Sequence, residues 1–355
     1  MINKSIIISK KTSLIDSLRI MDQTNRKLLI VCEDDLFLGV ISIGDIQRAI
    51  LKKQDLSLPV SYFVREKITY ALSTDDIESV KSRMRENRIE SMPVVSPDGK
   101  LNDVIEWDQL FSSGDSNRIE QVNLPVVIMA GGKGTRLLPL TNVIPKPLIP
   151  ISDKTIMEEI MTQFKEAGCS DFYVSVNYMM EAIKEYFSRK PEWNVNYVQE
   201  KKPLGTGGSL YLLKDKISTT FFVTNCDTLV DINLYDLIDY HKSNRNLITV
   251  VSAVKTVHIP YGTLETEVNG LISGMKEKPD IVYQINSGLY VLEPEVFEYV
   301  EEDDFLNITD LIGKLINDGK RVGAFPVPDG SWIDMGNWNE YLQLVNKYDA
   351  NRKNI

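Results

Sequence analysis

The chain has 355 residues, 25% of them charged and 43% hydrophobic, with a formal net charge of −10. That length suits two domains, each able to bury its own core, and the composition is that of an ordinary globular protein without disorder-like or membrane-like bias. The acidic balance argues against a general nucleic-acid binder, the unpatterned Cys32, Cys169 and Cys226 against a disulfide framework or thiolate metal site, and the two histidines against histidine metal sites or Ser/His triads.

At the N-terminus "MINKSIIISKK" is too short in its apolar part for a secretory signal, and no later run approaches a bilayer span. A cytoplasmic protein with no membrane partner is expected. A repeat follows. "TSLIDSLR" from Thr12 and "TDDIESVK" from Thr74 align position by position, each reading as a short capped helix. Each precedes an apolar strand ("LLIV" from Leu28, "MPVV" from Met92), an acidic turn and a second short element ending "GDIQRAI" or "WDQLF". Units this small cannot bury an apolar face alone and are expected to pack together.

This repeat resembles a tandem CBS domain pair. In that family a glycine, a hydroxyl residue and an aspartate hold the ribose and phosphate of a nucleotide, spaced as in "GVISIGD" from Gly39, which puts Ser42 and Asp45 on the motif. The second copy, "NDVIEWD" from Asn102, keeps Asp108 but has Asn102 and Ile105 where the glycine and hydroxyl belong. The resemblance implies an adenine nucleotide as ligand and a homo-oligomer formed through the pair; a dimerising scaffold without ligand is the other reading.

"SSGDSNRIEQVN", Ser112 to Asn123, is polar and without periodicity, and reads as a linker. Alternating strands and helices follow: "PVVIMA", "IMEEIMTQFKEAG" with Ile156, Ile160 and Phe164 on one face, "DFYVSVNY", a helix, "VNYVQE", a helix, and "TTFFVTNCD". Apolar strands separated by amphipathic helices predict a parallel sheet covered on both faces, with ligands beyond the carboxyl ends of its strands. His241 is expected on a helix surface and His258 in a solvated loop.

The stretch "MAGGKGTRLLPLTNVIPKPLIP" from Met129 follows the first of these strands. A dinucleotide fingerprint would need glycine where Leu137 stands, and a Walker A loop a hydroxyl residue where Gly134 stands. What is left is a loop whose Gly131, Gly132 and Gly134 let backbone N–H groups approach an anion. Arg136 supplies a planar cationic fork, and Pro145 and Pro147 restrict where the Lys146 ammonium can sit.

That stretch resembles the signature of sugar-1-phosphate nucleotidyltransferases. Further matches fall in the family's order: "LGTGG" from Leu204, "NCD" ending at Asp227, "YGTLE" from Tyr261, "EKP" from Glu277, "NSGLY" from Asn286 and "WIDMG" from Trp332. The expected fold class is α/β: a Rossmann-like nucleotidyltransferase domain with a mixed, mostly parallel sheet over 125–355, preceded by an α/β tandem CBS pair over 1–111 and a linker over 112–124. The implied substrates are a nucleoside triphosphate and a sugar 1-phosphate. Asp227 and Asp334 are expected to hold Mg²⁺, the hard cation suited to carboxylate and phosphate oxygens. Arg136 and Lys146 would neutralise the reacting phosphates. The resemblance implies nucleotide contacts from Ala130, Gly131, Gly132, Gly134, Thr135, Arg136, Glu200, Gly205 and Thr206, and sugar-phosphate contacts from Gly262, Glu277, Lys278 and Asn286.

Glu200 stands nearest the position from which the family reads the base. A carboxylate accepts but does not donate, which suits the N–H and NH₂ donors of guanine better than the carbonyls of uracil or thymine; a solvent-facing Glu200 beside Lys201 and Lys202 is the other reading. A CBS pair ahead of such a domain resembles the glucosamine-1-phosphate guanylyltransferases of bacterial legionaminic acid synthesis and relatives acting on mannose-1-phosphate. A UTP- or CTP-dependent enzyme, or an inactive nucleotide-sugar sensor, are the alternatives.

Overall fold

The protein is described here by a computed structural model covering residues 4–24, 26–65, 68–87, 89, 91–106, 110, 121–336, 338–342 and 344–345. Asp108 and most of the expected linker, 112–120, lie outside the described residues. The chain divides into two compact units, Met1–Glu120 and Gln121–Ile355. No helix among the described residues is long and apolar enough to cross a membrane.

The first unit is built twice over. β1 (Ile7–Ser9), β2 (Leu28–Glu33) and β3 (Leu36–Ser42) form one sheet, and β4 (Ala71–Leu72), β5 (Ser91–Val95) and β6 (Leu101–Glu106) another. In both, the first pair is parallel and the second antiparallel. The parallel pairs are bridged by helices Leu14–Thr24 and Ile77–Asn87. Each helix has a side-chain cap: Ser13 Oγ accepts from the Asp16 N–H at 3.1 Å, and Asp76 Oδ1 from the Ser79 N–H at 2.9 Å. The antiparallel turns of the two copies meet, with the Phe37 N–H donating to the Gly99 carbonyl at 2.9 Å and the Leu101 N–H to the Asp35 carbonyl at 3.2 Å. Each copy thus satisfies backbone groups that the other would leave unpaired.

The second unit carries β7 (Val126–Met129), β8 (Pro150–Ile151), β9 (Lys154–Thr155), β10 (Phe172–Val176), β11 (Val195–Gln199), β12 (Phe221–Asn225), β13 (Thr228–Val230), β14 (Ile248–His258), β15 (Thr263–Thr266), β16 (Ile272–Lys276), β17 (Asp280–Leu292), β18 (Val322–Pro328) and β19 (Trp332–Asp334). Seven of them form the central sheet in the order β11-β10-β7-β12-β17-β14-β18. All its pairings are parallel except those of β17, which runs against both neighbours. The sheet is mixed and mostly parallel, with β17 as the departure from a purely parallel pattern. Strand order reverses about β7: the chain leaves it for β10 on one side and comes back to β12 on the other, so a crevice opens at its carboxyl end.

Alternation along the strands explains the two covered faces. Val126, Ile128, Phe222, Leu289 and Val291 are buried on one side with helix residues Ile156, Ile160 and Phe164. Val127, Met129, Phe221, Val223, Tyr290 and Leu292 are buried on the other with Ile308, Leu311 and Leu315 of helix Ile308–Asn317. Helix Ile156–Glu166 starts from a capping box between Thr155 and Glu158. All three cysteines are free and buried.

Two expectations change. His241, on helix Leu234–Ser243, is fully buried rather than at the surface; its Nδ1 lies 2.8 Å from Thr249 Oγ1 and its Nε2 3.0 Å from Glu293 Oε1. Burial pushes its pKa below the ordinary imidazole value against the upward pull of Glu293. The helix expected between β11 and β12 shrinks to one turn at Gly205–Gly208 and a 3₁₀ stretch at Ser209–Leu213. The glycines there are needed for close approach: the N–H groups of Gly207 and Gly208 both donate to the Leu306 carbonyl at 2.8 Å. A Cβ on Gly208 would lie 2.3 Å from the Asp304 carbonyl oxygen, whereas one on Gly132 would meet nothing within 4 Å. Gly208→Ala is therefore expected to cost about 1–3 kcal/mol in urea unfolding, and Gly132→Ala to leave the midpoint unchanged; equal midpoints for both variants would refute the packing role.

Candidate active site

At the end of β7 the Ala130 N–H still donates to the Ser175 carbonyl at 2.9 Å, and the backbone then leaves the sheet. Gly134 is left-handed at φ +63° and opens the 3₁₀ turn Thr135–Leu137, where any other residue would be strained and its Cβ would press to 2.9 Å from Thr141 Cγ2. Leu137 is buried and anchors the turn. Arg136, beside it, is left pointing outward, its Nη2 3.9 Å from Asp227 Oδ2. Lys146 begins the 3₁₀ turn Lys146–Leu148 between its two prolines and is buried, with its ammonium donating to Asp227 Oδ2.

Asp227 follows β12, and its carbonyl accepts from the Met335 N–H at 2.8 Å. β13 and β19 pair antiparallel with Thr228 opposite Asp334, which brings the second carboxylate to the same edge. Burial and then the nearby Asp227 and Glu340 charges push the Asp334 pKa up, against the opposing pull of Lys146 and Arg136. A Cβ on Gly336 would sit 2.8 Å from Asp334 Oδ1 and 2.7 Å from Arg136 Nη1, so both side chains crowd this glycine. The structure therefore brings together Arg136, Lys146, Asp227 and Asp334. Burial and the adjacent Asp227 raise the Cys226 thiol to about 12, which makes it an inert neighbour.

Two repelling carboxylates in a half-buried cleft are a fitting donor set for a hard cation whose other ligands are water and phosphate oxygens. Among the described residues no group of three or more His, Cys, Asp or Glu side chains offers a closed metal cage. The dyad would thus hold Mg²⁺ in a site open to substrate.

Glu200 is neither solvent-facing nor free. Its Oε1 accepts from Ser175 Oγ at 2.6 Å and its Oε2 from the Leu204 N–H at 3.1 Å, while a Cβ on Gly131 would lie 2.7 Å from Oε1. It fastens the chain after β11 to β10 and to Leu204, beside Gly131, and spends one acceptor site of each oxygen in doing so. Ser175 and Leu204 were not singled out from the sequence; the polar serine inside the apolar strand "FYVSV" was the available signal. Gly205 and Thr206 face the segment around Leu306: a Cβ on Gly205 would be 2.6 Å from the Leu306 carbonyl oxygen, and Thr206 Oγ1 accepts from the Ile308 N–H at 3.0 Å.

The residues expected from the sequence to meet the sugar phosphate lie along an arm. β14 and β17 continue beyond the buried part of the sheet, and β15 and β16 form a hairpin at their far end. Glu277 reaches back toward Gly262, where a Cβ would be 3.0 Å from Glu277 Oε2. Lys278 is exposed with φ +43°. Asn286 lies on β17, its Nδ2 donating to Tyr290 Oη at 2.8 Å and its Oδ1 accepting from the Gly288 N–H at 3.1 Å. Gly288 in turn lets β17 pass close to Asn225 and Thr228, the residues flanking the Cys226–Asp227 turn, with a Cβ position 2.6 Å from Asn225 Nδ2.

In the first unit, Ser42 and Asp45 form the capping box of helix Ile43–Leu51. Asp45 also accepts from Arg65 Nε at 2.8 Å and from Arg48. Burial opposes its charge, but hydrogen bonds from Arg65 and Ser42 outweigh burial and hold its carboxyl below the usual range. Both side chains expected to face a ligand are thus engaged within the chain. A cavity of about 460 Å³ lies between the two copies, lined by Phe37, Ile68, Thr69, Tyr70, Val95 and Gly99 among others.

The family described as nucleotidyl transferase matches residues 125–351, and CBS domains match residues 1–52 and 60–112. A mannose-1-phosphate guanyltransferase of Schizosaccharomyces pombe is 33% identical over 62% of this chain and 62% of its own length. A UTP–glucose-1-phosphate uridylyltransferase of Synechocystis sp. is 29% identical over 62% of each. The chain thus spans less than two thirds of these relatives. The structure of HddC from Yersinia pseudotuberculosis complexed with GMP-PN is 25% identical, with a TM-score of 0.51, over 63% of this chain and 99% of that one.

Asp334 gives a test of the electrostatics that needs no substrate. A carboxyl whose pKa is raised on folding stabilises the fold below its unfolded value, about 3.9, and loses that contribution as pH rises through the folded value. Without divalent cations Asp334→Asn is expected to unfold at higher urea than the parent at neutral pH, the gap closing in acid. An equal or lower midpoint at neutral pH would mean that the two carboxylates do not repel.

Proposed function

Because the chain belongs to the nucleotidyl transferase family, we propose that it transfers GMP from GTP to a sugar 1-phosphate, giving a GDP-sugar and pyrophosphate. The observation that carries this reading is the convergence of Arg136, Lys146, Asp227 and Asp334 at the carboxyl ends of β7 and β12. No histidine is needed. The phosphate monoester, with a second pKa of about 6, is already ionised at neutral pH and attacks without a general base. An oxygen of the sugar phosphate forms a bond to the α-phosphorus while the bond to the β-phosphate oxygen breaks and pyrophosphate leaves. Positioning and charge neutralisation then provide most of the catalysis. Lys146 meets the α-phosphate, Arg136 the leaving pyrophosphate, and the N–H groups of the glycine loop the triphosphate. Mg²⁺ held by Asp227 and Asp334 would supply the positive charge that lets the anions approach.

Guanine is the base we favour. Glu200 stands against Gly131, and each carboxylate oxygen keeps a lone pair beyond those taken by Ser175 and Leu204. The fission-yeast relative is named a guanyltransferase and the Yersinia structure holds GMP-PN, whereas the Synechocystis relative is named for UTP. On the sugar side, Gly262, Glu277, Lys278 and Asn286 would meet glucosamine-1-phosphate or mannose-1-phosphate. Pyrophosphate release over a matrix of GTP, UTP, CTP and dTTP against sugar 1-phosphates tests both choices: GTP is expected to lead, and equal rates with all four would end the guanine reading. Asp227→Asn should lower kcat at least ~100-fold; full turnover in that variant would remove the metal role.

The CBS pair, on this reading, dimerises the chain and takes an adenine nucleotide at Ser42 and Asp45. Binding would have to draw Asp45 or Ser42 from their present partners. Titration of the full chain with AMP is expected to give saturable heat that weakens in Asp45→Ala, and no heat in the parent would leave the pair as a scaffold only.

A further inference from the structure

The segment after Asp334 holds both ends of the loop that carries Lys146. Trp338 Nε1–H donates to the Leu138 carbonyl at 3.1 Å, and Tyr341 O–H donates to the Pro150 carbonyl at 3.0 Å. The two rings meet edge to face, their centroids 6.0 Å apart. Between the two anchored carbonyls the chain has only 3₁₀ turns at Leu140–Asn142 and Lys146–Leu148. It also contains Pro139, Pro145, Pro147 and Pro150, none of which has an N–H. Such a loop has more carbonyls than donors and cannot close a ladder of its own, so donors must come from elsewhere. Trp338 and Tyr341 supply them. Val143 at the loop's tip is 75% exposed, while Ile149 is buried and Leu140, Ile144 and Leu148 pack against the core, so the two donors act at the loop's ends rather than at its middle.

The opposite end of the same segment reaches the acidic dyad. The Met335 N–H donates to the Asp227 carbonyl at 2.8 Å, and Gly336 is packed against Asp334 and Arg136. One stretch, from Asp334 to Tyr341, therefore touches the carboxylates at its start and the cationic loop at its end. We propose that Trp338 and Tyr341 are positioning residues: a two-point latch that keeps the Lys146 loop closed on Asp227 and sets where the lysine ammonium meets the triphosphate. The catalytic part of this proposal rests on the transfer reaction proposed above.

Tyr341→Phe removes only the hydroxyl donor, and Trp338→Phe keeps an aromatic ring while removing the indole N–H together with the five-membered half of the ring; both are made singly and together. In the full-length double variant, amide hydrogen exchange is expected to accelerate on the order of tenfold within residues 140–149 and to stay at parental rates in β7, β10 and β12. With GTP and sugar 1-phosphate, KM for the triphosphate should rise by a similar factor while KM for the sugar phosphate holds. Unchanged exchange in the loop would overturn the latch, as would faster exchange spread evenly over the sheet, which would mark a general role in stability. The exchange readout needs no substrate. A chain that shows the loop effect but transfers no nucleotide would sink the transfer reading and leave the latch standing.

Discussion

The buried contact between Lys146 and Asp227 is the constraint around which the second unit is arranged. Both side chains are largely withdrawn from water, at 8% and 13% exposure. Bringing two charges out of solvent costs free energy that their attraction roughly returns, so such a pair adds little net stability, while loss of either partner strands the other. Its value is geometric. It pins a proline-rich loop with almost no regular structure to the end of β12, and the ribbon of β13 and β19 brings Asp334 to the same place.

The local charge pattern would also reconcile an acidic protein with the two anionic substrates of the proposed reaction. At a net charge of −10 the chain as a whole repels phosphates. Arg136 and Lys146 offset Asp227 and Asp334 over a few ångströms, and the carboxylates are a reason for a further cation to join them. Asp334 stands at an elevated pKa because it is buried beside Asp227, which is the electrostatic condition that a bound divalent ion relieves.

What could be read from the sequence was set by local chemistry. Glycine widens and proline restricts the backbone wherever they stand, so the irregular loop from Ala130 to Pro150 was legible from its composition, and apolar strands separated by amphipathic helices disclosed the covered sheet. The reversal of β17 was not legible from periodicity, because its buried half has the same apolar pattern whichever way it runs. His241 was placed at a surface because its partners, Thr249 and Glu293, lie on other elements. For the same reason the partners of Glu200 were not legible: Ser175, 25 residues earlier, and the Leu204 N–H hold its carboxylate. For Asp45, the ion pair from Arg65, 20 residues away, was likewise not legible. The approach of Gly205 and Thr206 to a backbone segment a hundred residues downstream was not legible either. Long-range partners leave no trace in spacing.

The double length of β14 and β17 has a further implication. Each strand is buried for one half and exposed for the other, and their register is irregular between Val250 and Ser252, near the changeover. The inner halves are held by the hydrophobic core, while the outer halves and their hairpin contribute almost nothing to it. Residues at the tip can therefore vary without loss of foldability. A scaffold of this design can be redrafted at one hairpin while the core at the other end of the same two strands stays untouched.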